Sequence, residues 1–342
     1  MSESYRTVVV ASRGSALALA QAQIVLDQCR QTFPGLRFEL KIIKTTGDKL
    51  QTASLARAGT SLPKGLFTKE LEIALLKGQA DMAVHSLKDL PTELPAGLKL
   101  GAVLRRADVR DVLIYRDGAH FAGLACSRSA DWVPGQSALR GWQPKLGLED
   151  LPQGAVLGTS STRRQAQIKA LRPDVHVAEL RGNVPTRLEK LATRDQLDAI
   201  VLALAGLSRL NFQISPDGRL SGDAVPEGLL ATVLPLEVML PCVGQGAIGI
   251  EIRSDDERLE TLCVRLNHYN TFQAVTAERA FLRAMGGGCQ SPVAAYAEAH
   301  EDRLHLRAVV YSQRLQRAEA IGSIKHPVEL GERVAARLKH PG

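Results

Sequence analysis

The sequence predicts an α/β fold in which helices cover mostly parallel sheets. Short apolar stretches typical of strands alternate with stretches of helical periodicity, and this alternation occurs in two separate parts of the chain. The chain has 342 residues, which is more than one domain usually holds. Its composition, 45% hydrophobic and 23% charged, is that of a folded globular protein and excludes a disordered or collagen-like chain.

The first alternation begins near the N-terminus. A strand is predicted over 6–11, and the spacing of Leu17, Ala20 and Ile24 behind it predicts an amphipathic helix. The pattern continues with an alternating strand, a helix, and a strand that ends in a loop, over 38–47, 67–79 and 80–91.

The second alternation lies further along the chain. It predicts strand–helix, strand–helix and strand–turn segments over 155–174, 175–194 and 197–210. A third part, from about 266, holds a helix and a strand-like end over 304–312. Residues 117–149 lack periodicity and are predicted to form a long surface loop, with a second insertion over 211–230.

Cysteine usage, apolar runs and charge limit the possible environments and partners. The five cysteines form no CxxC pair, which favours a reducing cytosol over a disulfide or zinc scaffold. No apolar run approaches the roughly 20 residues of a membrane span, and no export signal is visible. The net charge of +7 indicates an anionic partner, but aromatic residues, at 4%, are too few for nucleic-acid stacking platforms.

The segment from Thr159 to Arg164 is the strongest candidate for an anion site. It follows a predicted strand and opens a predicted helix, where backbone N–H groups and the helix dipole favour an anion. Two adjacent arginines, Arg163 and Arg164, add charge, and the hydroxyl groups of Thr159, Ser160 and Ser161 add donors. The alternative is an ordinary helix cap followed by solvated arginines.

Further basic and hydroxyl side chains follow other predicted strands. In open α/β sheets, ligands bind outside the carboxyl ends of the strands. Several cations at this edge indicate a site for a ligand with several carboxylates or phosphates, whereas the alternative is a set of exposed charges. These residues are Arg13, Ser15, Arg181, Arg187 and Arg209.

The HSLKD segment places Lys88 and Asp89 in a loop after a strand. A carboxylate among basic groups stays ionised and can stabilise a developing cation or transfer a proton. The alternatives are a surface Lys–Asp pair and, for the neighbouring His85, a satisfied buried histidine.

Cys289 lies in a glycine-rich turn, GGGCQSP. Glycines let the backbone approach a bulky group, and a thiol on an exposed loop can be modified. The alternative is a small buried thiol.

Taken together, these segments resemble the hydroxymethylbilane synthase family, also called porphobilinogen deaminases. The matching strings occur in the family's order and cover most of the chain from residue 8 to about 298. The most specific are HSLKD, the TSS-x-RR run, LRGN and GGCQ.

The resemblance implies a transferase of tetrapyrrole (haem and chlorophyll type) biosynthesis. Such an enzyme joins four porphobilinogen molecules head to tail, with release of ammonia, on a dipyrromethane cofactor held by a cysteine thioether, and hydrolysis then yields hydroxymethylbilane. Cys289 matches the attachment position and Asp89 the catalytic carboxylate. Positions that bind cofactor and substrate match Arg13, Ser15, Lys64, Lys88, Thr159, Ser160, Ser161, Arg163, Arg164, Arg181, Arg187, Arg209 and Gln245.

The resemblance also implies three domains and a cellular setting. Two doubly wound α/β domains like those of periplasmic binding proteins take residues 1–106 with 245–265, and 107–244. A small α+β domain takes 266–342. We expect a cytoplasmic monomer that binds porphobilinogen and uses no metal, nucleic acid or membrane.

Two other functions fit parts of the pattern. A non-catalytic, two-lobed binding protein for a polycarboxylate would use the same fold and arginines, but it has no need of Cys289 or Asp89. A nucleic-acid-binding protein is suggested by the basic charge alone and predicts strongly salt-dependent binding to DNA.

Overall fold

The computed structural model describes residues 7–46, 67–127, 139–287, 292–311 and 315–339. They divide into two compact units. Unit 1 takes the described parts of Met1–Ala107, Cys242–Val310 and Gln316–Gly342, and unit 2 takes those of Asp108–Pro241 and Tyr311–Leu315.

The elements follow in chain order. The strands are β1 (Val8–Arg13), β2 (Phe38–Ile43), β3 (Met82–Ser86), β4 (Leu98–Val103), β5 (Asp111–Arg116), β6 (Val156–Gly158), β7 (His176–Ala178), β8 (Ala199–Ala203), β9 (Gln213–Ile214), β10 (Leu220–Ser221), β11 (Leu229–Val233), β12 (Ile248–Arg253), β13 (Val293–His300), β14 (Arg303–Tyr311) and β15 (Leu315–Ser323). The helices are α1 (Ala16–Thr32), α2 (Lys69–Leu76), α3 (Gly118–Ser127), α4 (Thr162–Leu171), α5 (Val184–Thr193), α6 (Leu204–Arg209), α7 (Glu257–Leu266), α8 (Tyr269–Ala284) and α9 (Pro327–Lys339).

Unit 1 contains a five-stranded sheet in the order β2-β1-β3-β12-β4. β1 runs parallel to both β2 and β3, whereas β12 runs antiparallel between β3 and β4. One face packs against α1 and α7 through side chains such as Val10, Leu26 and Leu259, and the other face packs against α2 through Leu71 and Leu75. The sheet therefore has helices on both faces, as a doubly wound α/β unit requires.

The C-terminal part of unit 1 is a three-stranded sheet in the order β13-β14-β15. Its apolar side chains form one core with α8 and α9, in which Phe281 and Val334 are fully buried. The predicted small α+β unit is thus confirmed as a fold class, while the boundaries of the three domains stay a prediction.

Unit 2 is built on a five-stranded sheet in the order β11-β5-β8-β6-β7. β6 pairs in parallel with β7 and β8, and β5 and β11 complete the sheet with antiparallel pairs. A core lies on each face, around Ile200 and Leu188 on one side and around Leu157 and Ile168 on the other.

The predicted loop over 117–149 is partly wrong, because Gly118–Ser127 forms α3. This stretch is rich in small and apolar residues without helical spacing, so the sequence carried no periodic signal. The segment 211–230, interpreted as an insertion, holds the β9–β10 hairpin and the start of β11.

Arg116 is a fully buried cation at the end of β5. Its guanidinium donates to the carbonyl oxygens of Arg140 at 2.6 Å, Leu191 at 2.5 Å and Leu197 at 2.6 Å. These bonds tie the C-terminal end of α5 and the chain that follows it to the sheet of unit 2. Burial lowers the pKa of Arg116, and the charge of Asp198 opposes this effect.

We expect Arg116→Met to lower the free energy of unfolding of unit 2 by roughly 3–5 kcal/mol, because it leaves several buried carbonyl groups without donors. Denaturant or thermal unfolding of the full chain measures this change. Lys169→Met, which removes an exposed cation from α4 of the same unit, is the matched control and should change stability by less than about 0.5 kcal/mol. Equal effects of the two variants would contradict a structural role for Arg116.

Candidate active site

Two parallel strands of unit 1 end at the same edge of the sheet and present Arg13 and the Asp89 turn. Arg13 is the last residue of β1, and its guanidinium carbon lies 4.2 Å from the centre of the Phe67 ring. Ser15 follows and caps α1, where its hydroxyl oxygen accepts the N–H of Ala18 at 3.3 Å. The role that the structure shows for Ser15 is therefore that of the N-cap of α1.

Lys88 and Asp89 lie in a single 3-10 turn, Leu87–Asp89, directly after β3. Leu87 is buried and holds the turn to the core, whereas Asp89 is exposed. Within the described ranges, no group hydrogen-bonds or ion-pairs with the Asp89 carboxylate. This carboxylate is therefore available to accept hydrogen bonds from a ligand.

A tight turn at Gly244 and Gln245 packs against the Asp89 turn. Gly244 has a φ of +72°, and a Cβ atom there would lie 3.1 Å from the carbonyl carbon of Leu87 and 3.2 Å from the nitrogen of Lys88. Only glycine allows both this φ and this close approach. Gln245 is buried, and its side-chain oxygen accepts the Sγ–H of Cys242 at 3.4 Å.

His85 is a buried histidine of β3. Its Nε2 lies 3.0 Å from the Oε2 of Glu251 on the neighbouring strand β12, and both side chains are excluded from solvent. This geometry is that of a satisfied buried histidine and does not place it beside a ligand.

In unit 2, the loops after β6 and β7 are joined through Ser160. Its hydroxyl donates to the carbonyl of Leu180 and accepts the Leu180 N–H, both at 3.0 Å. Ser161 caps α4 by accepting the N–H of Arg164, and the Thr159 hydroxyl accepts the N–H of Ser161 at 3.2 Å. The hydroxyl groups therefore shape these loops, and Ser160 is exposed beside them.

Arg163 and Arg164 are buried and share one carboxylate. The two oxygens of Asp111 each accept one guanidinium at 2.7 Å, and the arginines also donate to the carbonyls of Leu240 and Val201. Burial raises the pKa of Asp111, but the charges of Arg163 and Arg164 outweigh it and lower the pKa to about 2. Asp111 therefore stays ionised at neutral pH and is paired with two cations.

The other predicted cations lie after β7 and β8. Arg181 is exposed and pairs with Glu179, while Arg187 on α5 donates to the carbonyl of Gly182 at 2.7 Å. Arg209, the last residue of α6, is half-buried, and burial lowers its pKa to about 10, so it stays protonated at neutral pH. Because β6, β7 and β8 are parallel, their C-terminal ends lie at one edge of the sheet. The loops and helices that carry these residues, like the loop with Ser160, begin at that edge.

Two predicted residues, Lys64 and Cys289, lie outside the described residues. Their roles stay a prediction. In the described part of the chain, no helix combines the length and apolar character needed to span a bilayer.

Three buried charged residues were not predicted from the sequence: Asp111 in unit 2, and Glu278 and Arg279 in unit 1. A signal existed for each, because an acidic residue opens the apolar strand β5 and an adjacent Glu–Arg pair interrupts the apolar run of α8. Charged residues in such runs are buried only when they are paired, so they indicate internal ion pairs or hydrogen bonds.

The chain matches two family models along nearly its whole length. Residues 8–261 match the porphobilinogen deaminase, dipyromethane cofactor binding domain, and residues 272–340 match the porphobilinogen deaminase, C-terminal domain. The porphobilinogen deaminase of Carboxydothermus hydrogenoformans is 43% identical over 98% of this chain and 95% of its own length. That of Desulforudis audaxviator is 44% identical over 98% and 96%.

A solved structure gives a weaker likeness. The effector binding domain of BenM with its effector benzoate has a TM-score of 0.38 and 18% identity, over 78% of this chain and 90% of that chain, and adds nothing to the sequence matches. Two family models and relatives above 40% identity over nearly the full length are sufficient to place the chain: it belongs to the porphobilinogen deaminase family.

Proposed function

We propose that this chain is a hydroxymethylbilane synthase that joins four porphobilinogen molecules on a dipyrromethane primer. The observation that supports this most directly is Asp89, an exposed carboxylate on a turn that is packed against the sheet core and the Gly244 turn. A polycarboxylate-binding protein would gain nothing from an anion at this position, since it would repel the ligand.

The chemistry of the described cations fits a dipyrromethane group. Each pyrrole ring of such a group bears an acetate and a propionate, so two rings carry four carboxylates. Burial lowers the pKa of the half-buried Arg209, so a carboxylate that approaches it stabilises its charged form. When bound, this group supplies the free pyrrole α-carbon to which the first substrate is joined.

We assign the binding of carboxylates to both units. In unit 1 these residues are Arg13, Ser15, Lys88 and Gln245, together with Lys64. In unit 2 they are Thr159, Ser160, Ser161, Arg163, Arg164, Arg181, Arg187 and Arg209. Guanidinium groups suit this task because their planar fork matches a carboxylate with two hydrogen bonds.

Asp89 is the proposed catalytic residue. Each condensation breaks the C–N bond of the substrate's aminomethyl group and releases ammonia. The methylene carbon then bonds to the free α-carbon of the terminal ring of the growing chain, and that α-carbon loses its proton. Loss of ammonia leaves positive charge on the substrate pyrrole. The Asp89 carboxylate accepts a hydrogen bond from the pyrrole N–H, stabilises this positive charge and assists the proton transfers.

Cys289 is the proposed attachment point, and the enzyme is proposed to work as a monomer in the cytoplasm. The chain leads to Cys289 from the end of α8. A thioether is a poor leaving group, so a primer bound in this way persists through turnover. The thiols of Cys29 and Cys263 suit a structural role, because burial raises both their pKa values to about 12.

Intact-mass measurement of the purified protein should show an adduct of two linked pyrroles. The adduct should be absent from Cys289→Ser and retained in Cys242→Ser, which removes a half-buried thiol of the same unit. A fully active protein of unmodified mass would contradict the assignment.

Asp89→Ala should keep the adduct and lose turnover by about 100-fold or more, because it removes a preorganised negative charge. Steady-state release of hydroxymethylbilane measures the loss. Glu93→Ala, an exposed carboxylate four residues further on, should leave turnover within about twofold. Near-normal turnover of Asp89→Ala would remove Asp89 from the mechanism.

Arg181→Met should impair cofactor assembly or elongation by about tenfold without loss of stability. Its ion pair with Glu179 is exposed, and such pairs contribute at most about 1 kcal/mol to stability. Arg219→Met is the matched control, since Arg219 also pairs with an acidic residue two positions away on the surface of unit 2. The assay follows adduct mass and the ladder of pyrrole additions, and identical behaviour of the two variants would exclude Arg181 from binding.

A further inference from the structure

Arg279 on α8 holds the chain directly behind Asp89. Its side chain is buried, and its guanidinium donates to two successive carbonyls, that of Leu90 at 3.0 Å and that of Pro91 at 2.5 Å. A planar guanidinium can bond two adjacent acceptors at once, which fixes the peptide between them.

The Asp89 turn is also held from its other side. The N–H of Leu87 donates to the carbonyl of Ala247 at 3.0 Å, and the Gly244 turn packs against the backbone of Leu87 and Lys88. Asp89 itself is exposed and makes no hydrogen bond within the described part of the chain. Its position is therefore set by the backbone contacts on either side of it.

The neighbour of Arg279 anchors α8 to the same region. Glu278 is fully buried, and its carboxylate accepts two bonds from Arg106, at 2.6 and 3.1 Å, one from the N–H of Gly244 at 2.8 Å and one from the N–H of Ala297 at 2.9 Å. Two adjacent residues of α8 thus hold both neighbours of the Asp89 turn. Glu278 binds the Gly244 turn that packs against it, and Arg279 binds the carbonyls of the two residues that follow Asp89. The same helix ends at Ala284, and the chain leads from it to Cys289.

We propose that Arg279 is a positioning residue for the condensation reaction: it sets the Asp89 carboxylate relative to the helix that leads to the cofactor cysteine. This inference rests on the proposed function. It needs no contact between Arg279 and the substrate, because the residue acts through the backbone of Leu90 and Pro91.

The variant that tests the proposal is Arg279→Met, which fills similar space and removes the fork. We expect kcat to fall by about 10- to 100-fold, because a small misplacement of a catalytic group costs that much, with KM changed less than about threefold. The pyrrole adduct should stay complete. Arg283→Met, on the exposed side of the same helix, is the matched control and should keep normal kcat.

A second measurement does not depend on activity. The Leu90 N–H donates to the carbonyl of Leu87 at 3.2 Å and closes the Asp89 turn. Hydrogen–deuterium exchange of this turn should be at least about tenfold faster in Arg279→Met and unchanged in Arg283→Met. Arg279→Lys, which keeps the charge but not the planar fork, should lie between wild type and Arg279→Met in both measurements and serves as the test if Arg279→Met does not fold.

The outcomes separate the possible explanations. Unchanged exchange of the turn, or normal kcat in a folded, fully loaded Arg279→Met, overturns the positioning role. An activity loss that follows only the unfolded fraction, and recovers at lower temperature, also overturns it. A wild-type protein with neither adduct nor turnover defeats the proposed function itself, and the exchange data would then show separately whether Arg279 holds the turn.

Discussion

The geometry of unit 1 depends on the hydrogen bonds that the buried carboxylate of Glu278 accepts. Burying an ionised carboxylate away from water costs free energy unless its oxygens accept hydrogen bonds from the protein. The Glu278 carboxylate accepts four hydrogen bonds. The donors come from Arg106 behind β4, from the Gly244 turn and from β13 of the C-terminal sheet. One side chain therefore links the chain after β4, the Gly244 turn and the three-stranded sheet.

Unit 2 uses a buried carboxylate differently. Glu278 is paired with one arginine, Arg106, whereas Asp111 is paired with two, Arg163 and Arg164. Within the described part of unit 2, the Nε of Arg164 is buried without a hydrogen-bond acceptor. A buried guanidinium N–H without an acceptor costs free energy, so the Asp111 cluster is less fully hydrogen-bonded than Glu278.

The places of Asp89 and Arg181 after strands were predicted correctly, while their roles stay a prediction. The placement of Asp89 behind β3 and of Arg181 behind β7 needed only strand periodicity and the rule for parallel sheets. Sequence reasoning could not assign Arg163 and Arg164 to a shared partner, because Asp111 is more than fifty residues away along the chain and the pairing depends on how β5 crosses to the neighbouring strands. The positioning of the Asp89 turn by α8 was equally hidden, since it links residues almost 190 positions apart.

The place of β12 in the sheet of unit 1 has a consequence for biosynthesis. This strand lies between β3 and β4, although the whole sheet of unit 2 separates it from them in the chain. A ribosome therefore finishes every strand of the inserted sheet before it makes the strand that joins β3 to β4. Before β12 has been made, β3 and β4 lack the strand that joins them, whereas all five strands of the inserted sheet have already been made.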